Sequence, residues 1–380
     1  MAMGKRLIVN LGSTSRKYAL FDDSGEVTRV SLSKDESVVL KLGKNLQSPD
    51  EIEAVVLRIV APGLYFLKHR EIDSEFVHKM NRAAVFSPLH LKSTLREYHE
   101  LRKIFRSARF FGISDSAFQS TKPEAAFHYG LPREMAHKHE LYRYGYHGIS
   151  CSAVVRQIVE VEERLPQNLI ICHLGGGASI TAVREGKAID NSMGFSPLEG
   201  LIMETRAGNT DPMALAMLSK SYGLNQEKLL EVLNKKSGLL GLHGHECDML
   251  KLLALEARGE KAAREALDVY IYRIVKEIGG MITALGGLNA IAFTGAIGAG
   301  SSLIRARVIE GLKVFEIGLD AKKNRTAKGF ARVDTLLSRV AVFAVPSDEF
   351  GEMNLIAKKL YSNKKPKEKS GLGILQRFLW

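Results

Sequence analysis

Apolar and polar positions along this chain fall into blocks that read as strands and helices in turn. Residues 7–22, LIVNLGSTSRKYALFD, run from an apolar stretch through one polar residue and a Gly/Ser-rich turn into a second apolar stretch. Residues 169–184, LIICHLGGGASITAVR, repeat the pattern. Aligned without gaps at an offset of 163 residues, Asn10 faces His173, Gly12 faces Gly175, and Ser13 and Thr14 face Gly176 and Gly177. That spacing is close to one domain length, so the pattern predicts a duplicated fold.

The remaining blocks predict a mixed α/β chain. LIVNL, YALFD, AVVLRIV and ARFFGIS read as strands, whereas Leu91, Leu95, Tyr98, Leu101 and Phe105 recur at helical spacing. In the second half, LIICHL and SITAV are strands joined by a tight turn. The stretch DPMALAMLSKSYGL opens a helix with Asp211 as N-cap and Pro212 at the first helical position. EKAAREALDVYIYRIVKEIGGMITAL predicts a long helix, and IAFTGAIGAGSS a strand followed by glycines and a Ser-rich helix start. From about residue 363 a basic linker leads to GLGILQRFLW. There Ile374, Leu375, Phe378 and Leu379 share one helical face, which predicts docking on the body, with a partner or membrane surface as the lesser alternative.

Composition is compatible with this picture. A chain of 380 residues, 45% hydrophobic and 25% charged, can bury a large core in about two or three domains. Cys151, Cys172 and Cys247 form no C-x-x-C pair, so neither a disulfide framework nor a structural zinc site is expected, and a reducing cytoplasm fits best. No apolar run reaches the roughly 18–20 residues of a membrane span, and neither a signal peptide nor an anchor is expected. The net charge of +12 is scattered except in KKPKEK at 364–369. No nucleic-acid module is recognisable, so no nucleic-acid partner is expected; the excess charge suits a protein that handles phosphates.

Glycines and small hydroxyl residues after a strand expose backbone N–H groups that bind phosphate oxygens. Three such turns occur, at 12–15, 175–177 and 295–300. Neither a G-x-x-x-x-G-K-[ST] nor a G-x-G-x-x-G order is present. What remains is a two-lobed nucleotide clamp with a phosphate-facing turn from each lobe.

Several longer blocks carry a more specific signal: RYGYHGIS at 143–150, HLGGGASITAV at 173–183, SMGFSPLEGLIMETRAGNTDP at 192–212, SGLLG at 237–241 and FTGAIG at 293–298. Through them, in order from Asn10 to about Ala357, the chain resembles the acetate kinase family, within the actin, Hsp70 and sugar kinase superfamily. The resemblance implies an α/β fold of two duplicated ribonuclease H-like, actin-like ATPase domains with a nucleotide cleft between them. It places one lobe at 1–148, joined by a C-terminal helix from about 350–362, a second at 149–349 with the nucleotide-binding and dimerisation elements, and a basic tail at 363–380. The implied activity is transfer of the γ-phosphoryl group of ATP to a short carboxylic acid, with Mg²⁺ or Mn²⁺, in a homodimer built on the second domain.

By position in these motifs, Arg58, Asp115, His147 and Arg206 match the catalytic set. An arginine suits this work, because it stays charged and presents a rigid fork to phosphoryl oxygens. Asn10, Ser13, Ser15, Lys17, His173, Gly175, Gly176, Gly177, Gly295 and Gly298 match nucleotide-facing positions. Val60, Leu89, His90, Tyr146 and Pro197 match the acceptor pocket, which separates chain lengths by only about 1–3 kcal/mol per methylene. Asn10 and Glu349 match the side that holds the metal, Glu349 through water.

The chain also departs from the family pattern. HLGNGAS has become HLGGGAS, with Gly176 for Asn; FTGGIGEN has become FTGAIGAG; HRVVHGG has become LRIVAPG around Arg58; DTAFH has become DSAFQ; and Tyr146 stands where Phe is usual. The first lobe is also shorter between Asn10 and Arg58. Two alternatives therefore stay open at this level: a weakly active or non-catalytic nucleotide-binding descendant with a regulatory role, and a kinase using another phosphate donor.

Overall fold

The computed structural model describes residues 4–11, 16–33, 36–85, 88–245 and 248–362, with the side chains of 88–90 set aside. Ser13, Ser15, Cys247 and the tail at 363–380 therefore lie outside the described residues, as do the side chains of Leu89 and His90.

Twelve described strands form two six-stranded sheets. In chain order they are β1 (Lys5–Leu11), β2 (Arg16–Phe21), β3 (Glu26–Leu32), β4 (Ile52–Ile59), β5 (Arg70–Glu71), β6 (Arg109–Ser114), β7 (Asn168–Leu174), β8 (Ala178–Arg184), β9 (Lys187–Asn191), β10 (Ala290–Thr294), β11 (Ala331–Arg332) and β12 (Ala341–Ala344). The first sheet runs β3-β2-β1-β4-β6-β5 and the second β11-β12-β10-β7-β8-β9. In each, an antiparallel meander of three strands is extended by two parallel ones. A short antiparallel strand closes the far edge. The topologies are the same, so the hairpin repeat in the sequence marks a repeat of the whole sheet.

The repeat departs from the gapless alignment at its turn. Leu11 pairs with Arg16 but Leu174 pairs with Ala178, so the second hairpin closes over one residue fewer.

Each sheet is covered on both faces. Helix Pro88–Ile104 lies against the first sheet, with Leu91, Leu95 and Leu101 in its core. Helix Lys261–Leu285 buries Leu267, Ile274, Ile278 and Met281 against the second and ends at Gly286 in the left-handed conformation. The other faces are covered crosswise. Helix Gly148–Glu162, which follows the first sheet in the chain, packs Val154 and Ile158 under Leu169, Ala292 and Phe343 of the second. Helix Glu349–Ser362, which follows the second sheet, packs Phe350, Met353 and Ala357 under Ile8, Val56 and Phe111 of the first. This exchange ties the two lobes together. It also brings the N-termini of both helices to the cleft.

Asp211 caps the helix Pro212–Tyr222, accepting from the Met213 and Ala214 amides. The glycines after β10 form the short helix Gly295–Gly300 rather than an open turn, and Ser301 then caps helix Ser302–Gly311. No described helix is long and apolar enough to cross a membrane.

Candidate active site

The site grows from the ends of the parallel strands, where open α/β sheets place ligands. Arg58 is the penultimate residue of β4, and Asp115 follows β6. Their registers bring them together: Arg58 Nη2 donates to Asp115 Oδ2 at 2.7 Å. Arg58 Nη1 lies 3.3 Å from Asn10 Oδ1 and 3.5 Å from Glu349 Oε2. Glu349, the first residue of its helix, also accepts from Asn10 Nδ2 at 2.8 Å. Burial opposes its charge, but Arg58, His173, Asn10 and the more distant Lys17 outweigh that and hold its carboxyl below the usual range.

The block RYGYHGIS is explained by close approach. Gly148 donates its N–H to the Asp115 carbonyl at 2.7 Å, and a Cβ there would lie 2.4 Å from that oxygen. Before it, His147 sits at φ 57°, a left-handed conformation uncommon for non-glycine residues, as the N-cap of the helix that follows. Its N–H reaches Asp115 Oδ2 at 3.2 Å and its Nδ1 contacts Ser179 Oγ at 2.9 Å. The Nε2 edge faces Gly177, whose Cβ would come within 3.2 Å of it. His173 stacks on His147 with centroids 4.0 Å apart and contacts Ser150 Oγ at 2.8 Å. Burial lowers the His173 pKa.

Arg206 approaches from the opposite side. Its loop is locked by SGLLG: Gly238, at φ +65°, has no room for a Cβ, which would sit 2.3 Å from the Met203 carbonyl. Arg206 Nη1 reaches the Pro197 carbonyl at 3.4 Å, and among the described residues the guanidinium makes no ion pair. Burial and the like charge of Arg58 lower its pKa. Arg58 is thus paired with two carboxylates, whereas Arg206, close enough to feel its charge, has none of its own among the described residues. Among the described residues, Asp115 Oδ1 and Arg58 Nε are buried there without a hydrogen-bond partner.

The glycine positions divide into two kinds. Gly176 and Gly177 line the space between Glu204 and His147. By contrast the Gly175 N–H is spent on the Gly177 carbonyl, and the Gly295 N–H donates to Ser347 Oγ at 3.1 Å. Gly295 and Gly298 serve close packing: Cβ atoms there would lie 2.3 Å from the Leu174 carbonyl and 3.3 Å from the Cys172 carbonyl. A Cβ at Gly176 would meet Glu204 Oε2 at 3.1 Å, so a carboxylate stands where a side chain at 176 would project.

Val60 and Tyr146 are buried between the lobes. The Tyr146 hydroxyl donates to the Phe195 carbonyl at 2.6 Å, two residues before Pro197. It is therefore occupied within the wall rather than offered to the pocket. Ser150, Ser179, Ser347 and Gln119, which donates to the Tyr146 carbonyl at 3.2 Å, are supporting residues that the sequence does not single out, since isolated Ser and Gln carry no spacing signal.

A cleft between two duplicated ribonuclease H-like domains defines a member of the actin-like ATPase fold, and among the described residues only one of its two arginines is ion-paired. Within it, the chain belongs to the Acetokinase family, whose model matches residues 32–357. It is 35% identical to an acetate kinase of Bacillus mycoides, over 91% of this chain and 96% of that one. Its structure is similar to that of the acetate kinase of Porphyromonas gingivalis, with a TM-score of 0.84, 31% identity, and 95% and 100% of the two chains covered. It is equally similar to a propionate kinase of Francisella tularensis, with a TM-score of 0.84, 30% identity, and 92% and 98% covered.

Proposed function

We propose that the protein is an ATP-dependent carboxylate kinase that transfers the γ-phosphoryl group to acetate or another short-chain fatty acid, reversibly and in line. The observation that carries this reading is the facing pair Arg58 and Arg206, which converge on one space with an unpartnered Asp115 oxygen beside it. A carboxylate oxygen attacks the γ-phosphorus, the bond to the β–γ bridging oxygen breaks, and ADP leaves with that electron pair. A carboxylic acid is already ionised at neutral pH, so no general base is required. The demand is for positive charge around two approaching anions.

Arg206 and Arg58 supply that charge from two sides. Asp115 orients Arg58 through Oδ2 and fixes His147 through its amide. His147 presents Nε2 toward the transferring group, with Ser179 setting its ring. The Gly176 and Gly177 turn lies against the nucleotide phosphates. Val60, Tyr146 and Pro197 wall the acyl group. The orphaned Asp115 oxygen and the Glu349 carboxylate beside Asn10 form a hard-oxygen set of the kind Mg²⁺ takes with retained waters, so Glu349 and Asn10 would hold it. When bound, the ion neutralises charge on the β- and γ-oxygens.

A non-catalytic descendant is not favoured, because the charged groups are all retained and all converge. The exposed Met213, Met217 and Tyr222 on a helix that buries no residue support a homodimer through the second domain. A cytoplasmic location accords with two buried free cysteines.

The deciding experiment traps acyl phosphate as hydroxamate, with ATP or pyrophosphate, Mg²⁺, and acids from formate to butyrate. ATP-dependent product that disappears in Arg206→Ala is the expected result. Product with pyrophosphate alone would replace the donor, and no product with any acid would overturn the reading.

A further inference from the structure

The helices that begin at His147 and at Glu349 each deliver a site residue to the cleft, and they touch further along their lengths. Arg156 occupies that crossing. Its Nε donates to Glu352 Oε2 at 2.8 Å, its Nη2 to Asp348 Oδ2 at 2.5 Å and its Nη1 to Glu160 at 3.0 Å. Ser152 Oγ donates to the second oxygen of Glu352 at 2.5 Å, and Gln157 Nε2 to the Pro346 carbonyl at 3.0 Å. The Glu352 side chain is only 8% exposed, whereas Asp348 and Glu160 are 37% and 54% exposed, so the charge-assisted network is desolvated at its Glu352 end and open to solvent at the others.

The Asp348 end of the network is equally constrained. Asp348 Oδ1 accepts from the Gly351 N–H at 3.0 Å and so caps the helix, while a Cβ at Gly351 would lie 2.3 Å from Oδ2. A single guanidinium therefore grips residues on both sides of Glu349. One grip alone leaves the helix free to turn about it. Two, at 348 and 352, fix both its rotation and its translation. The Glu349 carboxylate must be placed closely, since it reaches Asn10 and Arg58 on the first sheet, which its own helix covers, at 2.8 and 3.5 Å.

We propose that Arg156 is a positioning residue that sets where Glu349 stands against Asn10 and Arg58, from the far side of the helix crossing. The proposal deepens the kinase reading and rests on it only for its kinetic consequence. Arg156 touches neither substrate nor metal position; it acts through the first turn of a helix.

The test compares Arg156→Met, which keeps much of the stem and removes the fork, with Arg156→Lys. Amide hydrogen exchange at Gly351 and Glu352, calorimetric affinity for Mg²⁺·ADP, and steady-state rates are read on protein shown by thermal melting to be folded. In Arg156→Met, exchange at these two amides quickens while β1 and β4 stay protected. Mg²⁺·ADP affinity and kcat each fall about 10- to 100-fold, as for lost outer partners of metal-side groups, with KM for the acid nearly unchanged. Arg156→Lys restores part of each. Unchanged exchange, or unchanged Mg²⁺·ADP affinity in a variant whose only defect is a lower melting temperature, overturns the proposal. Failure of the wild type to make acyl phosphate would instead overturn the kinase reading, because exchange and nucleotide affinity are measured without turnover.

Discussion

Arg58 and Asp115 form an ion pair of 2.7 Å between the ends of adjacent parallel strands, and only one oxygen of the carboxylate takes part. The other is buried without a hydrogen-bond partner among the described residues. The pair thus has one oxygen that neutralises a buried arginine and one that is left unused. Arg206 differs, having no carboxylate of its own among the described residues.

These two environments predict opposite balances of stability and activity. Asp115→Ala leaves the buried Arg58 with only its longer, 3.5 Å contact to Glu349, which destabilises by up to about 3 kcal/mol. Arg206→Ala removes a desolvated cation already facing a like charge, so its melting temperature is expected to equal or exceed that of the wild type. Its kcat nevertheless falls by about 10³–10⁵, roughly 4–7 kcal/mol of barrier. Thermal melts alongside single-turnover rates check both. A large loss of stability in Arg206→Ala would contradict the geometry.

Tyr146→Phe deletes the bond to the Phe195 carbonyl and little else, since the ring is packed and the hydroxyl does not enter the pocket. The expected loss of stability is about 0.5–1.5 kcal/mol. The loop that carries Pro197 becomes freer, so the ratio of propionate to acetate kcat/KM rises by a few-fold, within the limit an apolar wall can impose. Competition assays with paired acids measure it. An unchanged ratio would place the tether outside the acceptor wall.

Glu204 stands where the side chain of residue 176 would otherwise project, beside the turn that we propose faces the phosphates. A single exposed carboxylate at short range in water is worth about 1 kcal/mol against a polyanion, roughly five-fold. Glu204→Gln is therefore expected to lower KM for ATP by about that factor at low ionic strength. The effect should shrink in about 1 M salt, where screening falls to about 3 Å. Initial rates across a salt series test the direction.

Much of this was legible in the sequence because it depends on local chemistry. The two hairpins show as apolar runs around a polar turn, and Asp211 followed by Pro212 marks a helix start where one is found. What stayed hidden depends on long-range placement. That the helix near 350–362 joins the first lobe follows from the family resemblance, not from any local pattern, and its packing under the first sheet accords with it. Nothing in the sequence around Arg156 and Glu160, four apart, points to Asp348 and Glu352, which reach Arg156 from nearly two hundred residues away. Likewise GAIGAG reads as an exposed turn, whereas its first N–H is already bound to Ser347.

His69 supplies a pH dependence that the catalytic set does not. Its Nδ1 accepts the Ser114 N–H at 3.1 Å, one residue before Asp115, and burial pushes its pKa down to about 4. The unfolded chain takes up a proton near pH 6.5, whereas folded His69 resists it until about pH 4. The unfolded state therefore binds more protons in that window, and stability falls as pH falls through it, by up to about 3 kcal/mol. Glu349, whose pKa is also depressed, adds a loss in the same direction at lower pH. His69→Gln retains an acceptor for Ser114 without a titrating ring. Its urea midpoint is expected to lie below the wild-type value at pH 7.5 and to decline less between pH 6.5 and 4.5. Parallel declines in the two proteins would show that His69 does not carry the transition.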